Sequence, residues 1–194
     1  MFWGSFEVMK QIQKYFLALV PPPDILQTAH EIKVRIREEF GIKYALKSPP
    51  HITLKMPFSY NEAKEGQLTA SLTEYLKTQA SFKVQIGGVG SFGNRVIFLS
   101  IQKTEPLIQL QKGLKLFCKR NLHLVDELSD RNFHPHMTIA FKDVKPRIFE
   151  EVLARVREQS FDATFLADHI TLLKRAEGRW LNYHSVEFGG KISE

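Results

Sequence analysis

Two short stretches of the chain repeat the same residue types: Pro50-His51-Ile52-Thr53-Leu54 and Pro135-His136-Met137-Thr138-Ile139. Each reads Pro-His-apolar-Thr-apolar, and each lies in a run that alternates as a strand does. Along a strand, residues two apart point to one face. His51 therefore shares a face with Thr53, and His136 with Thr138, while Ile52 and Met137 face the core. Two such strands side by side would bring two imidazoles and two hydroxyls into one cleft.

That set suits phosphoryl transfer. Imidazole titrates near neutrality, so one ring takes a proton while the other gives one. In-line displacement needs a base on one side of phosphorus and an acid on the other, so one histidine would not suffice. The hydroxyls would hydrogen-bond the non-bridging oxygens. A ribose 2′,3′-cyclic phosphate is a strained diester that such a pair could open without a metal. A third His-x-Thr, His169-Ile170-Thr171, lacks the preceding proline and has Asp168 in its place. It reads as strand packing.

The elements that would carry these residues alternate irregularly. Tyr15 to Val20 is a strand closed by Pro21-Pro22-Pro23. Asp24 stands at an N-cap position, Ile25 to Phe40 has helical periodicity, and Gly41 is a stop. His51 to Met56 is a strand that Pro57 ends. Glu62 to Thr78 is a second helix. Phe82 to Ile86 and Arg95 to Ile101 are strands linked through glycine-rich residues 87–94. Pro106 to Arg120 and Pro146 to Arg157 are helices, with the strand Phe133 to Phe141 between them. Phe161 to Leu173 and Trp180 to Phe188 are terminal strands. Strands both alternate with helices and adjoin one another, which predicts an α+β fold.

Nothing in the composition points to a chain of special class. The 194 residues carry 27 Lys and Arg against 21 Asp and Glu, a net charge of +6. The excess suits either solubility or a polyanionic ligand. The cations are scattered, with no basic tail or arm for long duplex DNA. Cys118 is alone, so no intrachain disulfide forms, and no zinc-finger spacing exists. No run is long enough to cross a membrane, and the first ten residues lack a secretory signal. These features predict a cytoplasmic monomer of one bilobal domain over 1–194, its core at about 14–188. Met9 reads as an alternative start, which makes residues 1–9 an N-terminal extension.

The matched motifs resemble the 2H phosphoesterase superfamily, marked by two His-x-Thr/Ser-apolar motifs about 80 residues apart. Here His51 and His136 stand 85 apart. The chain is most similar to the bacterial 2′-5′ RNA ligases, or RNA 2′,3′-cyclic phosphodiesterases. Tyr15-Phe16-Leu17-Ala18-Leu19 before prolines resembles that family's first strand. Val89-Gly90-Ser91-Phe92-Gly93 before Arg95-Val96-Ile97-Phe98-Leu99 resembles its central hairpin. The resemblance implies two pseudo-symmetric lobes of antiparallel sheet, helices outside and a cleft between. It implies His51 and His136 as acid and base, Thr53 and Thr138 on the phosphate, and no cofactor or metal. The implied substrate is RNA or a nucleotide ending in a 2′,3′-cyclic phosphate, with 2′-5′ ligation as a side reaction. Alternatives are 2′-5′ oligonucleotides, a cyclic ADP-ribose phosphate, or an RNA-binding module without turnover. Motif flanks differ from the family's usual form: Lys55-Met56-Pro57 after the first, Phe141-Lys142 after the second.

Alternation places Lys55 and Lys142 on the catalytic faces, where they would bind phosphate as point charges or serve as solvated strand ends. His134 shares the face of His136 and reads as loop packing; His30, His123 and His184 read as structural. Tyr44, Phe58 and Tyr183 could stack on a nucleobase.

Overall fold

A computed structural model describes residues 11–190; the start at Met9 and the extension lie outside the described residues. Among the described residues, eight strands form two antiparallel sheets. β1 (Ile12–Leu19), β2 (Ile52–Asn61), β7 (His169–Ala176) and β8 (Arg179–Glu187) make the first, in the order β2-β1-β7-β8. β3 (Phe82–Phe92), β4 (Val96–Ile101), β5 (His136–Phe141) and β6 (Ala163–Ala167) make the second, in the order β5-β4-β3-β6. The helices are α1 (Pro23–Phe40), α2 (Glu65–Leu76), α3 (Glu105–Asn121), the single turn α4 (Leu128–Arg131) and α5 (Phe149–Arg157). No helix among the described residues is long and apolar enough to cross a membrane.

α1 shows why the chain folds locally as it does. Pro23 opens the helix, where a missing N–H costs nothing. Asp24 is not the cap; it sits one residue inside, where its charge favours the helix dipole. Ile25, Ala29, Ile32 and Ile36 form the buried stripe, and Gly41 closes the helix at φ 73°. α1 packs on α5 and β5, α2 packs on β8, and α3 on β2. One continuous apolar core fills the space beneath both sheets.

Several strand ends differ from expectation: β1 starts earlier, at Ile12, β5 starts at His136 and not Phe133, and three larger differences follow. β2 runs through Pro57 to Asn61. It is an edge strand, and its register against β1 slips between Tyr15–Phe58 and Leu17–Lys55, so the proline falls in an irregularity that needs no ladder donor. Residues 87–92 of the glycine-rich segment belong to β3, and only 93–95 form the turn to β4. The extra residue of β3 is absorbed in a bulge between Ile86 and Val89, with Gly88 at φ 76°. Phe161 to Leu173 is two strands: the chain leaves the second sheet after Ala167 and enters the first at His169.

Candidate active site

β2 and β5 are edge strands of their own sheets and touch each other. His51 immediately precedes β2, and His136 is the first residue of β5. Thr53, Leu54, Met56, Phe92, His134 and His136 all line one cavity of about 80 Å³. The expected pair of strands is therefore side by side.

The two histidines are held the same way. His51 Nδ1–H donates to the Pro49 carbonyl at 2.6 Å, and His136 Nδ1–H donates to the His134 carbonyl at 2.7 Å. A carbonyl only accepts, so Nδ1 carries the proton and Nε2 is left for exchange. The intervening prolines, Pro50 and Pro135, hold the preceding residue extended, which aims its carbonyl at the ring. Repetition of Pro-His is thus a device for fixing a tautomer.

Burial also repeats. Residues 51–56 and 136–141 share one pattern: half-buried at the first, third and sixth positions, buried at the second, fourth and fifth. The two adjacent buried positions mark a bulge. Register passes from Ala18–Thr53 to Leu17–Lys55 in the first sheet, and from Phe98–Thr138 to Ile97–Ala140 in the second. Each motif strand carries one extra residue just after its threonine.

That bulge corrects the expectation for Lys55. It lies opposite core residue Leu17, is fully buried, and makes an ion pair with Asp130. Its ammonium also donates to the Val125 carbonyl at 2.8 Å. It points away from the His51 face and holds α4 against β2. Lys142 also leaves its expected place. The same phase change, and a position beyond the end of β5, take it off the His136 face. Its ammonium donates to the Tyr44 hydroxyl at 2.9 Å.

Electrostatics at the two rings differ in degree. Burial, then the Lys33 charge, push the His51 pKa down to about 4. Burial also lowers His136. Lys33 is 2% exposed and has no carboxylate within ion-pair distance among the described residues. Its ammonium donates to the Ala45 and Ser48 carbonyls, at 3.2 Å each, and burial pulls its own pKa to about 7. Sequence reading missed Lys33. The signal was present: it sits on the apolar stripe of α1 beside Ile32 and Ile36.

Aromatic rings brace both histidines. Phe16 lies 4.8 Å from His51 and meets Trp180 edge-on at 4.7 Å. Phe92 and Phe98 lie 4.9 and 5.1 Å from His136. Phe98 closes over Gly90, where a Cβ would come within 2.5 Å of its ring. Phe16, Phe92 and Phe98 flank the pair directly, and Trp180 backs Phe16. Phe58 is core, Tyr183 donates to Glu65, and Tyr44 packs edge-on to Phe141 at 5.0 Å.

The third His-x-Thr differs in kind. Thr171 is buried in a row that runs Thr53, Ala18, Thr171, Ser185 across the first sheet. His169 Nδ1 bonds the Asp168 carboxylate at 2.6 Å instead of a carbonyl. Among the described residues, no group of three His, Cys, Asp or Glu side chains is placed to hold a metal ion.

A family model described as the 2′-5′ RNA ligase superfamily matches residues 21–179. A Bacillus cytotoxicus protein named "putative phosphoesterase" is 34% identical over 167 residues, covering 82% of this chain and 89% of that protein. The fold is similar to TT0787 of Thermus thermophilus, with TM-score 0.62 and 18% identity over 91% of this chain and 98% of that one. It is similar to apo E. coli LigT, with TM-score 0.61 and 20% identity over 93% and 99%. Other LigT structures hold 3′-AMP, NADP+, phosphate or ATP.

Proposed function

Because the chain belongs to the 2′-5′ RNA ligase superfamily, we propose that it is a phosphodiesterase that opens ribose 2′,3′-cyclic phosphates, with His51 and His136 as its proton carriers. The observation that carries the reading is the shared tether. Both rings give their Nδ1 proton to a backbone carbonyl two residues back, which leaves both Nε2 atoms free to trade protons across one phosphate.

The steps balance with side chains alone. One imidazole takes a proton from water as the water oxygen attacks phosphorus. The P–O3′ bond breaks, and the other imidazole gives its proton to O3′. The product is a 2′-phosphate beside a free 3′-hydroxyl. Thr53 and Thr138 donate to the non-bridging oxygens, which gather charge in the transition state. With a 5′-hydroxyl in place of water, the same forward displacement would form a 2′-5′ bond as P–O3′ breaks, and its reverse would cleave that bond. LigT, of similar fold, is seen with nucleotides and with phosphate, and a nucleotide phosphate suits this pair.

The test is direct. Wild type, His51→Ala and His136→Ala are incubated with a nucleoside 2′,3′-cyclic phosphate and a short RNA with that end, and products are read by 31P NMR. A 2′-monophosphate from wild type alone supports the reading. Intact cyclic phosphate in every sample, with RNA bound, would favour a binding module instead.

A further inference from the structure

Four cations collect where the end of β5 meets the turn ahead of β2, and none is paired with a carboxylate among the described residues. Lys47 and Lys142 place their ammonium groups 4.7 and 4.5 Å from the centre of the Tyr44 ring. Arg179 donates to the Leu46 carbonyl at 3.2 Å. Arg175 lies over Trp180, 5.8 Å from its ring centre. The hydrogen bond from Lys142, then the charges of Lys142, Lys47 and Arg175, hold the Tyr44 hydroxyl below its ordinary pKa, against burial. The adjacent carboxylate is turned to the backbone: Asp143 Oδ2 accepts from the Lys43 and Tyr44 N–H groups at 2.8 Å each, and its Oδ1 is buried without a hydrogen-bond partner among the described residues.

Two features point to a ligand. Unpaired like charges held close repel one another, so the arrangement gains from an anion. Lys142 also sits at φ 67°. A left-handed lysine costs about 1–2 kcal/mol, which glycine would avoid. The backbone there favours glycine, yet the position carries a side chain whose ammonium reaches Tyr44.

The cluster is joined to the candidate active site by contacts. Arg175 meets Trp180, Trp180 meets Phe16 at 4.7 Å, and Phe16 meets His51 at 4.8 Å. One strand of a duplex advances about 3.4 Å per nucleotide, and single strands stretch further, so roughly two to four nucleotides span that path.

We propose that Tyr44, Lys47, Lys142 and Arg175 form a second anion site, which takes a backbone phosphate of an oligonucleotide whose terminal cyclic phosphate lies at His51 and His136. The inference rests on the proposed function for the identity of the reacting end, and adds that the substrate is a strand of several nucleotides. Lys142 thereby contacts phosphate remote from the one that reacts.

Lys142→Gly tests this, because it removes the charge and relieves the backbone together. kcat/KM is measured for a cyclic-ended RNA of about five nucleotides and for a nucleoside 2′,3′-cyclic phosphate, across a salt series. Wild type should prefer the RNA, and the preference should shrink as salt rises. Lys142→Gly should melt no lower than wild type, yet lose several-fold of that preference. Its salt dependence on RNA should flatten by about 0.7 in log–log slope for the lost phosphate contact. Lys119→Ala, an exposed lysine on α3, is the control for net charge and should leave preference and slope in place. Equal loss on both substrates, or no change on RNA, overturns the second site. A nucleoside 5′-polyphosphate that gains as much from Lys142 as the RNA does overturns the oligonucleotide. Binding of 3′-phosphorylated RNA, read by fluorescence anisotropy, separates this inference from the reading beneath it. If no cyclic phosphate is turned over but RNA binding still depends on Lys142 and salt, the proposed reaction fails and the anion site stands.

Discussion

Lys33 and His51 are joined through one loop: Lys33 donates to the Ser48 carbonyl at 3.2 Å, and the next carbonyl, of Pro49, takes the His51 Nδ1–H at 2.6 Å. A buried cation thus stands behind the loop that orients the ring, and its charge disfavours a second charge on His51. Lys33→Met keeps the length of the side chain and removes the charge. The His51 pKa should rise from about 4, by up to about one unit, since burial is the larger cause and remains. NMR titration of the ring reads the shift, and the limb of the kcat/KM profile that His51 sets should move with it. An unmoved His51 titration would mean that Lys33 only supports the loop.

The same residue makes a stability prediction. Lys33 titrates near 7 in the fold and near 10.5 unfolded. Between those values the unfolded chain binds more protons, so this group raises stability as pH rises and lowers it as pH falls toward 7. Lys33→Met should therefore gain most on wild type near pH 7 and least near pH 10. Urea melts at the two pH values measure the difference.

Acid and base act in one transition state, so their losses should not add. His51→Ala and His136→Ala should each lose roughly 10²–10⁴-fold in kcat/KM on a cyclic phosphate, and the double variant little more. His169→Ala, whose ring is tied to Asp168, should stay within a few-fold of wild type. A substrate with a better leaving group needs the acid less, so the variant it rescues more is the one without the acid. Additive losses would mean that the two rings serve separate steps.

What sequence made legible follows from periodicity. The motif strands and their shared faces could be read because alternation holds from His51 to Thr53 and from His136 to Thr138. It fails one residue later, at the bulges, and that is why Lys55 lands opposite Leu17 in the core. A bulge needs a partner strand to exist, and no single-strand pattern announces it. The break at Asp168 was closer to readable: buried positions step from Phe165 and Ala167 to Ile170 and Leu172, a change of phase. The glycines of β3 read as a loop because glycine usually marks one. Here β3 is central: its pairing with β6 ends at Ile86, and its ladder with β4, from Val89 to Phe92, carries the strand through the glycines.

Removing the Asp130 carboxylate should unfold more than it inactivates. Besides pairing with Lys55, it accepts from the Met56 N–H at 2.7 Å and the Glu127 N–H at 2.9 Å. Asp130→Ala leaves the fully buried ammonium only the more distant Asp126 carboxylate, at 3.6 Å, and the Val125 carbonyl, a loss of up to about 3–5 kcal/mol. Lys55→Met should also lower the melting temperature but leave KM near wild type wherever the protein is folded. A large rise in KM with the melting temperature intact would return Lys55 to the phosphate.

Gly90 gives the sharpest test of the ring packing around His136. A Cβ there would lie 2.5 and 2.7 Å from two atoms of the Phe98 ring, closer than carbon atoms pack, and 3.3 Å from Ser100 Oγ. The ring would have to leave its place, 5.1 Å from His136 and 4.5 Å from Phe92. Overpacking of this kind costs about 1–3 kcal/mol. The catalytic loss should be separate and larger in effect, because a proton carrier displaced by about 1 Å costs on the order of 10²-fold. Phe98→Leu gives the new methyl room. The double variant should then lose less stability than the two single losses summed, since both changes act on one contact. kcat should recover less than stability does, because leucine fills the gap without the flat face that braces His136. Gly90→Ala with wild-type kcat and an undisturbed melting temperature would show that Phe98 moves freely and does not position the histidine.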